Sequence, residues 1–182
     1  QDILEGNLYK LNFINKEKEK LKILHVTNFN ERHNGRLFFN TGRRINNGLV
    51  RLDHSVLDFS DRDIISYYRK INDLSGSNHL NAKFIDTAIN FRPDFILLGH
   101  ADLINTETLS KIKKLFPNIK IAQWFLDRMD GPWAKNKIRF LDKINIVDNS
   151  FCTTFPQSIK LPRNKDINFI PNPADKSFEN LS

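Results

Sequence analysis

The sequence predicts an α/β protein built on a parallel β-sheet with helices on both faces. Three runs are apolar almost throughout, as expected for strands that are buried on both faces: 22–27, 94–99 and 120–126. Segments with apolar residues at helical spacing separate these runs. Because parallel strands need a crossover, which a helix usually provides, this alternation favours a parallel sheet.

The elements follow one another in a regular order from residue 21 onward. After the first strand and a polar loop, a stripe of apolar residues and glycine from Phe38 to Leu52 predicts the first helix. Gly42 and Gly48 interrupt this stripe, so we expect the helix to pack closely on the sheet there. The remaining predicted elements are strands at 54–59, 144–153 and 167–170, and helices at 64–71, 80–91, 106–116 and 133–143.

Length and composition indicate one globular domain of 182 residues. The net charge of +7 favours anionic partners such as phosphates, acidic lipids or nucleic acid, although the basic residues are spread along the chain. The single cysteine, Cys152, excludes an internal disulfide and a cysteine-based zinc site, and we expect a buried, inert thiol. No histidine pair or carboxylate cluster has metal-binding spacing, so no metal site is predicted. The sequence shows neither a membrane-spanning run nor a signal peptide, which predicts a cytoplasmic protein.

Parallel sheets bind their ligands at the carboxyl ends of the strands. This rule selects five loops for closer study, at 28–36, 60–63, 100–103, 127–133 and 153–156. None of them contains a glycine-rich dinucleotide motif or a P-loop, so we do not expect an independent nucleotide site.

Three stretches carry a family resemblance. KILHVTNFNERHNGR at 22–36 is a strand that opens into a glycine-containing loop and a helix. NNGLVRLDHSVLDFSDRD at 46–63 is similar to the pattern G-hydrophobic-Arg-x-G-His-x-Val, with Asp53 where glycine is usual. FIPNPADKSFE at 169–179 is similar to the segment IPN-(G/P)-V-D. In this order and spacing, the stretches resemble the N-terminal half of bacterial glycosyltransferases of the GT-B class, similar to spore-maturation-protein-type and family-4-type enzymes.

The resemblance implies a Rossmann-like domain over 21–170, as one half of a GT-B architecture. Residues 1–20 would form an N-terminal extension, and 171–182 the start of an interdomain linker. The implied activity is sugar transfer from a nucleotide-sugar to a glycan, lipid or other acceptor, with this half on the acceptor side. The nucleotide-sugar is the donor substrate, and no cofactor is expected. We expect the donor-binding C-terminal domain to be missing, and the chain alone to be inactive.

Two residues at strand ends are predicted to take part in catalysis. Asp127 follows the strand at 120–126, where a carboxylate can reach the cleft and take the acceptor proton in an inverting transfer. The alternative is a carboxylate that caps a helix or stabilises a loop. His100 ends the strand at 94–99 and, with Asp102, could orient an acceptor or relay a proton. The alternative is a histidine that hydrogen-bonds a loop carbonyl.

Other candidate residues concern binding. Gly35 and Arg36, which we expect to open the first helix, are predicted to meet the donor pyrophosphate. The alternative is an ordinary loop glycine and a surface arginine. An aromatic platform for the acceptor sugar is predicted at Trp133. The residues expected on the acceptor side are His33, Asp102, Arg128, Asp130 and Trp133.

Structural roles are predicted for His25, His54, His79 and Trp124. Asp61 and Asp63 are expected to lie in a loop. The helix at 133–144 is predicted to be an amphipathic surface helix, with lysines and Arg139 opposite an apolar face that includes Ile138. Such a helix could also contact an anionic membrane, which would place the protein at the periphery of the inner membrane.

Two other functions remain open at the level of the sequence. One is a non-catalytic Rossmann-like binding module, because fold does not determine function. The other is a basic nucleic-acid-binding domain, although the chain has no helix-turn-helix and no aromatic RNA-binding motif. The partners that we expect are a nucleotide-sugar donor and a glycan or lipid acceptor, without nucleic acid.

Overall fold

The computed structural model describes residues 19–69, 73–158 and 167–179. The strands within these residues are β1 Lys22–Thr27, β2 Ser55–Ser60, β3 Phe95–Gly99, β4 Lys120–Phe125, β5 Asn149–Cys152 and β6 Ile167–Phe169. The α-helices within them are α1 Thr41–Arg51, α2 Asp61–Tyr68, α3 Ser77–Phe91, α4 Thr106–Leu115, α5 Lys135–Leu141 and α6 Lys176–Glu179.

The strands form one sheet in the order β2–β1–β3–β4–β5–β6, and every neighbouring pair is parallel. Residues Lys22–Thr27 pair with Ser55–Ser60 on one side of β1, and β3 pairs on its other side. After β1, the chain adds β2 on one side of that strand and then crosses to add β3 on the other side. The boundary between β1 and β3 is therefore the topological switch point of the sheet. The predicted Rossmann-like α/β fold, with helices on both faces of a parallel sheet, is confirmed.

Alternate residues of the strands enter two different cores. Leu24 and Val26 of β1 belong to the larger core, which also takes side chains from α2, α3 and α4. Ile23 belongs to the opposite core, against which Ile45 and Leu49 of α1 pack. This alternation follows from the two-residue period of a strand, and it explains why the strand sequences are apolar on both faces.

A third core lies under α5, at the carboxyl ends of β4 and β5. Its buried members are Phe125, Met129, Phe140, Ile144 and Cys152. Burial raises the pKa of the Cys152 thiol to about 11, since the low dielectric disfavours the thiolate. The predicted buried thiol is therefore confirmed.

Two predicted helices differ from the observed ones. The first begins at Thr41 because Asn40 caps it, which leaves Phe38 outside the helix and half-exposed. The segment at 133–143 is divided into a 3₁₀ turn, Gly131–Trp133, and the short helix α5. Its predicted apolar face is wrong in part: Ile138 is 74% exposed and Lys143 is buried, whereas Ile144 is buried as predicted and Leu141 packs against the third core. The buried stripe instead includes Asn136 and Phe140, a spacing of four residues.

The segment predicted to begin an interdomain linker packs against α1 over its described part. Asp175 is buried and receives a hydrogen bond of 2.5 Å from Arg51. Hydrogen bonds from Ser177 and then from Arg51 lower the pKa of Asp175 to about 2. The ring of Phe178 lies 4.9 Å from that of Phe39, centroid to centroid. Residues 171–179 are thus attached to the domain by an ion pair and an aromatic contact, whereas 180–182 lie outside the described residues.

The predicted extension at 1–20 lies outside the described residues except for 19 and 20. The backbone conformation of Asp53, where the resembling pattern has glycine, is left-handed with φ of 67°. This is the conformation that favours glycine. None of the helices in the described part of the chain combines the length and hydrophobicity that a membrane crossing requires.

Candidate functional site

A cleft of about 310 Å³ lies at the carboxyl edge of the sheet, beside the switch point between β1 and β3. We call it the carboxyl-edge cleft. Its walls come from the ends of β1, β3 and β4 and from the first turn of α1, and two arginines reach it from α2 and α5. The lining residues are Thr27, Asn28, Asn40, Thr41, Gly42, Arg62, His100, Trp124, Leu126, Asp127 and Arg139.

A second and larger groove, of about 690 Å³, lies at the opposite edge of the sheet. It is lined by the ends of α3 and α4 and by the turns that lead into β3 and β4, with Ile89 and Leu115 among its exposed apolar residues. Its carboxylate, Asp94, accepts a hydrogen bond of 2.8 Å from the amide of Lys22 and so joins two strands. Because ligands of such sheets bind at the carboxyl edge, we assign the functional site to the smaller cleft.

The first turn of α1 forms one wall of the carboxyl-edge cleft. The side chain of Asn40 accepts a hydrogen bond of 3.1 Å from the amide of Arg43 and donates one of 3.1 Å to the carbonyl of Phe29. It therefore caps the helix and ties it to the loop that follows β1. The amides of Thr41 and Gly42 belong to the first turn and have no acceptor within the helix, so this wall presents donors with a positive dipole end.

The opposite wall depends on a close approach between Gly99 and Trp124. A Cβ atom at Gly99 would lie 2.0 Å from Cζ2 of the indole, so the ring occupies the space that any side chain would need. Trp124 in turn donates a hydrogen bond of 3.3 Å from Nε1 to Nε2 of His25, whose Nδ1 lies 3.2 Å from Oδ1 of Asn46. His25 and Trp124 are both buried, as predicted. Burial lowers the pKa of His25 to about 4, so the ring is neutral and links β4, β1 and α1.

His100 follows Gly99 with a left-handed backbone, φ 48°, and turns its ring back over the sheet. Its Nε2 accepts a hydrogen bond of 2.9 Å from the amide of Leu126, and its ring lies 4.3 Å from that of Phe125. Burial lowers the pKa of His100, against the opposing charges of Asp127 and Asp102. Since Nε2 accepts from an amide, the proton of the neutral ring resides on Nδ1, which lies 3.6 Å from Oδ2 of Asp127. The geometry thus makes His100 a donor toward the cleft rather than a base.

Asp127 presents its carboxylate to the cleft with about half of the side chain exposed. Arg139 donates a hydrogen bond of 3.1 Å to Oδ2. The carboxylate keeps further acceptor positions, because a carboxylate group has about four. It can therefore accept a proton or a hydrogen bond from a bound hydroxyl.

Two arginines of the cleft share one carboxylate. Arg62 of α2 lies 3.2 Å and Arg139 of α5 lies 2.5 Å from the same oxygen, Oδ2 of Asp102. Sequence reasoning selected Asp102 but missed both arginines. Arg62 belongs to the segment 60–63, which the rule for the carboxyl ends of strands selects, so that rule could have identified it. No local sequence pattern shows that Arg139 of α5 reaches the cleft.

A third concavity, a groove of about 370 Å³, adjoins the carboxyl-edge cleft and shares Leu126 with it. We call it the β4–β5 groove, because its residues follow those two strands. It brings together Arg128 and Asp130, two of the predicted acceptor-side residues, with Phe155, whose side chain is 56% exposed. A hydrogen bond from Arg128 lowers the pKa of Asp130 and keeps the carboxylate ionised. The complete lining is Leu126, Arg128, Asp130, Thr153, Thr154, Phe155 and Ser158.

Five predicted site residues line neither the carboxyl-edge cleft nor the β4–β5 groove: His33, Gly35, Arg36, Asp102 and Trp133. His33 ends a 3₁₀ turn, Glu31–His33, and Trp133 ends another, with 51% of its surface exposed. Gly35 and Arg36 are exposed and do not open a helix, which is a correction to the prediction. The physical reason is that Gly35, with φ of 84°, continues the loop, and the helix begins only after Asn40 supplies a cap.

Asp61 and Asp63, predicted in a loop, instead form the first turn of α2, where both are buried. Asp63 accepts hydrogen bonds from Arg32, at 2.6 Å, and from the amide of Glu31, at 2.8 Å. Burial would raise the pKa of Asp63, but these bonds and one from Ser60 outweigh it and lower the pKa. Burial raises the pKa of Asp61 to about 6, and its Oδ2 has no hydrogen-bond partner among the described residues.

Comparison with known proteins leaves the family open, because the sequence matches no protein-family model and no curated protein. Within the described residues, no group of three histidine, cysteine or acidic side chains could hold a metal ion. The cleft brings together the carboxylate of Asp127, the imidazole of His100, two guanidinium groups and the start of a helix. This set suits a polar ligand that carries hydroxyl and anionic groups.

Proposed function

We propose that the chain is the acceptor-side half of a nucleotide-sugar-dependent glycosyltransferase. The observation that carries the proposal is the position of Asp127, whose half-exposed carboxylate lies in the carboxyl-edge cleft between His100 and Arg139. The resemblance of residues 22–36, 46–63 and 169–179 to GT-B enzymes supplies the reaction class. The Rossmann-like sheet supports it, although the same fold serves many other functions.

In this proposal Asp127 acts on the acceptor hydroxyl. In an inverting transfer, the hydroxyl oxygen forms the new bond to the sugar, the bond from the sugar to the leaving diphosphate breaks, and the hydroxyl proton passes to Asp127. In a retaining transfer, the same carboxylate orients the hydroxyl. Nδ1 of His100 lies 3.6 Å from Oδ2 of Asp127, beyond hydrogen-bond distance, and Arg139 holds the carboxylate by a hydrogen bond of 3.1 Å.

The β4–β5 groove is the part of the site that we assign to the acceptor sugar. Phe155 offers an exposed ring on which a sugar can stack, and Asp130 and Arg128 offer hydrogen-bonding groups for its hydroxyls. The groove shares Leu126 with the cleft, so a sugar held there can direct a hydroxyl toward Asp127. We assign the donor nucleotide chiefly to a second domain, as in the GT-B architecture.

A non-catalytic binding module is the second candidate, and one observation favours it. His100 is held as a neutral donor, and Arg139 is paired with both Asp127 and Asp102, so the cleft could bind a ligand without activating it.

A binding experiment distinguishes these functions. The chain, labelled with ¹⁵N, is screened against a glycan array, and the best saccharide is then titrated by NMR. The proposal expects amide shifts in 126–130 and 153–155, together with weaker saccharide binding in Phe155→Ala. Shifts confined to the groove at the opposite edge, or tight binding of single-stranded nucleic acid with no saccharide bound, would refute it.

A further inference from the structure

Arg62 and Arg139 come from different helices but direct their Nη2 atoms at a single oxygen. The distances to Oδ2 of Asp102 are 3.2 and 2.5 Å. Side-chain exposures of 42% for Arg62 and 36% for Arg139 leave both guanidinium groups accessible from the carboxyl-edge cleft, which both of them line. The two cations thus converge on one point beside the cleft, where an anion can accept hydrogen bonds from both.

We propose that Arg62 and Arg139 form a clamp for a phosphate-class anion, in which Asp102 is the internal competitor of the ligand. The proposal rests on the proposed function, since it names the anionic group that the same cleft takes from its substrates. A phosphate oxygen accepts hydrogen bonds from two guanidinium groups at once, in the arrangement that Oδ2 of Asp102 now has.

The position of Arg139 is fixed by contacts other than Asp102. Its guanidinium lies 5.3 Å from the centroid of the Phe125 ring and donates to Asp127 at 3.1 Å. Neither contact involves Asp102, so Arg139 keeps both partners when a ligand takes the place of Asp102. The Arg139 arm of the clamp is therefore positioned before the anion arrives.

Charge balance predicts which anions the clamp prefers. The two arginines face two carboxylates, Asp102 and Asp127, so a singly charged anion gains little by entering. A diphosphate carries more charge and spans farther, and its second phosphate can reach the first-turn amides of Thr41 and Gly42 on the facing wall of the same cleft. We therefore expect diphosphate to bind more tightly than monophosphate or acetate.

Calorimetric titration with inorganic pyrophosphate at low ionic strength tests the clamp. Arg62→Gln and Arg139→Gln should each weaken binding by ~10-fold or more, because each removes a charge-assisted hydrogen bond. Asp102→Asn should instead tighten binding by roughly 3–10-fold, since it removes a competing negative charge. Arg92→Gln is the matched control: it removes an exposed guanidinium at the opposite edge and should leave the affinity unchanged. Denaturant midpoints of all four variants confirm that each one folds.

The contrary results are equally specific. Failure of the unsubstituted chain to bind pyrophosphate, or unchanged affinity in both arginine variants, would overturn the clamp. Weaker binding in Asp102→Asn would overturn the competition, because it would make Asp102 a structural partner of the arginines.

Further titrations identify the source of the phosphate. Tighter binding of a nucleoside diphosphate than of pyrophosphate assigns the clamp to the donor, and tighter binding of a sugar phosphate assigns it to a phosphorylated acceptor. Clamp-dependent pyrophosphate binding without any saccharide binding would refute the glycosyltransferase proposal but retain the clamp. Saccharide binding without clamp-dependent pyrophosphate binding would refute the clamp but retain the glycosyltransferase proposal.

Discussion

Gly42 at the start of α1 lies so close to Thr27 at the end of β1 that a Cβ atom on the glycine would stand 2.7 Å from Cγ2 of the threonine. This contact sets the distance between the helix and the sheet at the wall of the carboxyl-edge cleft. Gly48, one and a half turns farther along α1, has no atom within 4 Å of the same position. The close packing predicted from the two glycines is therefore confirmed for Gly42 and wrong for Gly48.

The two glycines give a matched pair of stability measurements. Gly42→Leu should lower the free energy of unfolding by ~1–3 kcal/mol, because the side chain must displace the helix from the sheet. Gly48→Ala should raise it by ~0.5–1 kcal/mol, because alanine favours the helix and meets nothing. Urea denaturation measures both. An unchanged midpoint in Gly42→Leu would show that α1 does not pack on β1 as described.

Burial of His25 predicts that the protein loses stability in mild acid. The folded-state pKa of about 4 lies below the ordinary histidine value of 6.5, so between these values the unfolded state binds a proton that the folded state does not. The stability that the folded state has with neutral His25 is fully present above pH 6.5 and is lost as the pH falls through 4. His25→Gln should flatten the rise in urea midpoint between pH 4.5 and 7. A slope identical to that of the unsubstituted protein would show that His25 is not the group responsible.

Asp61 predicts a slope of the opposite sign. Its folded-state pKa of about 6 lies above the ordinary aspartate value of 3.8, so the folded state binds the extra proton between these values. Stability therefore falls as the pH rises through them. Asp61→Asn keeps an oxygen for the amide of Arg62 but cannot ionise. The variant should therefore gain stability relative to the unsubstituted protein as the pH rises from 4.5 to 7.5. If the stability difference between Asp61→Asn and the unsubstituted protein does not change with pH, that result would contradict the burial of the Asp61 carboxylate, whose Oδ2 has no hydrogen-bond partner among the described residues.

Phe155 and Trp133 allow a test of the acceptor site. Both are about half exposed, but only Phe155 lines the β4–β5 groove. Phe155→Ala should weaken saccharide binding by ~10-fold, on the scale of one lost aromatic contact. Trp133→Ala should have a smaller effect, although the sequence alone favoured Trp133. Titration by NMR ranks the two variants, and the reverse order would move the acceptor site to the Gly131–Trp133 turn.

Much of the fold could be predicted from the sequence because strands that are buried on both faces have nearly continuous apolar sequences. β1, β3 and β4 are apolar on both faces, and their predicted bounds match the observed ones within one residue at either end. The proximity of His100 and Asp127 could also be predicted, since parallel strands bring their following loops to one edge. Whether these two residues are catalytic stays a prediction.

The rest depended on helix starts, which local patterns define poorly. The sequence predicts that Gly35 opens a helix, but α1 begins six residues later, after the cap at Asn40. It predicts a loop at Asp61, but strand β2 passes directly into α2. It predicts a solvated face for Arg139, but α5 turns Asn136 and Phe140 inward. Successive side chains of a helix differ by about 100° in direction, so neighbouring residues lie on different faces.

Sugar transfer by Asp127→Asn tests the central claim most directly. The assay combines this chain with a donor-binding domain, because the chain alone is expected to give no turnover above a blank. Replacement of the carboxylate by an amide keeps its size and removes its basicity, so kcat should fall by ~10²–10⁴-fold while KM for the acceptor changes little. Asp86→Asn, at an exposed carboxylate of α3, is the control and should retain full turnover. Normal kcat in Asp127→Asn would contradict the assignment of Asp127 as the base of the transfer.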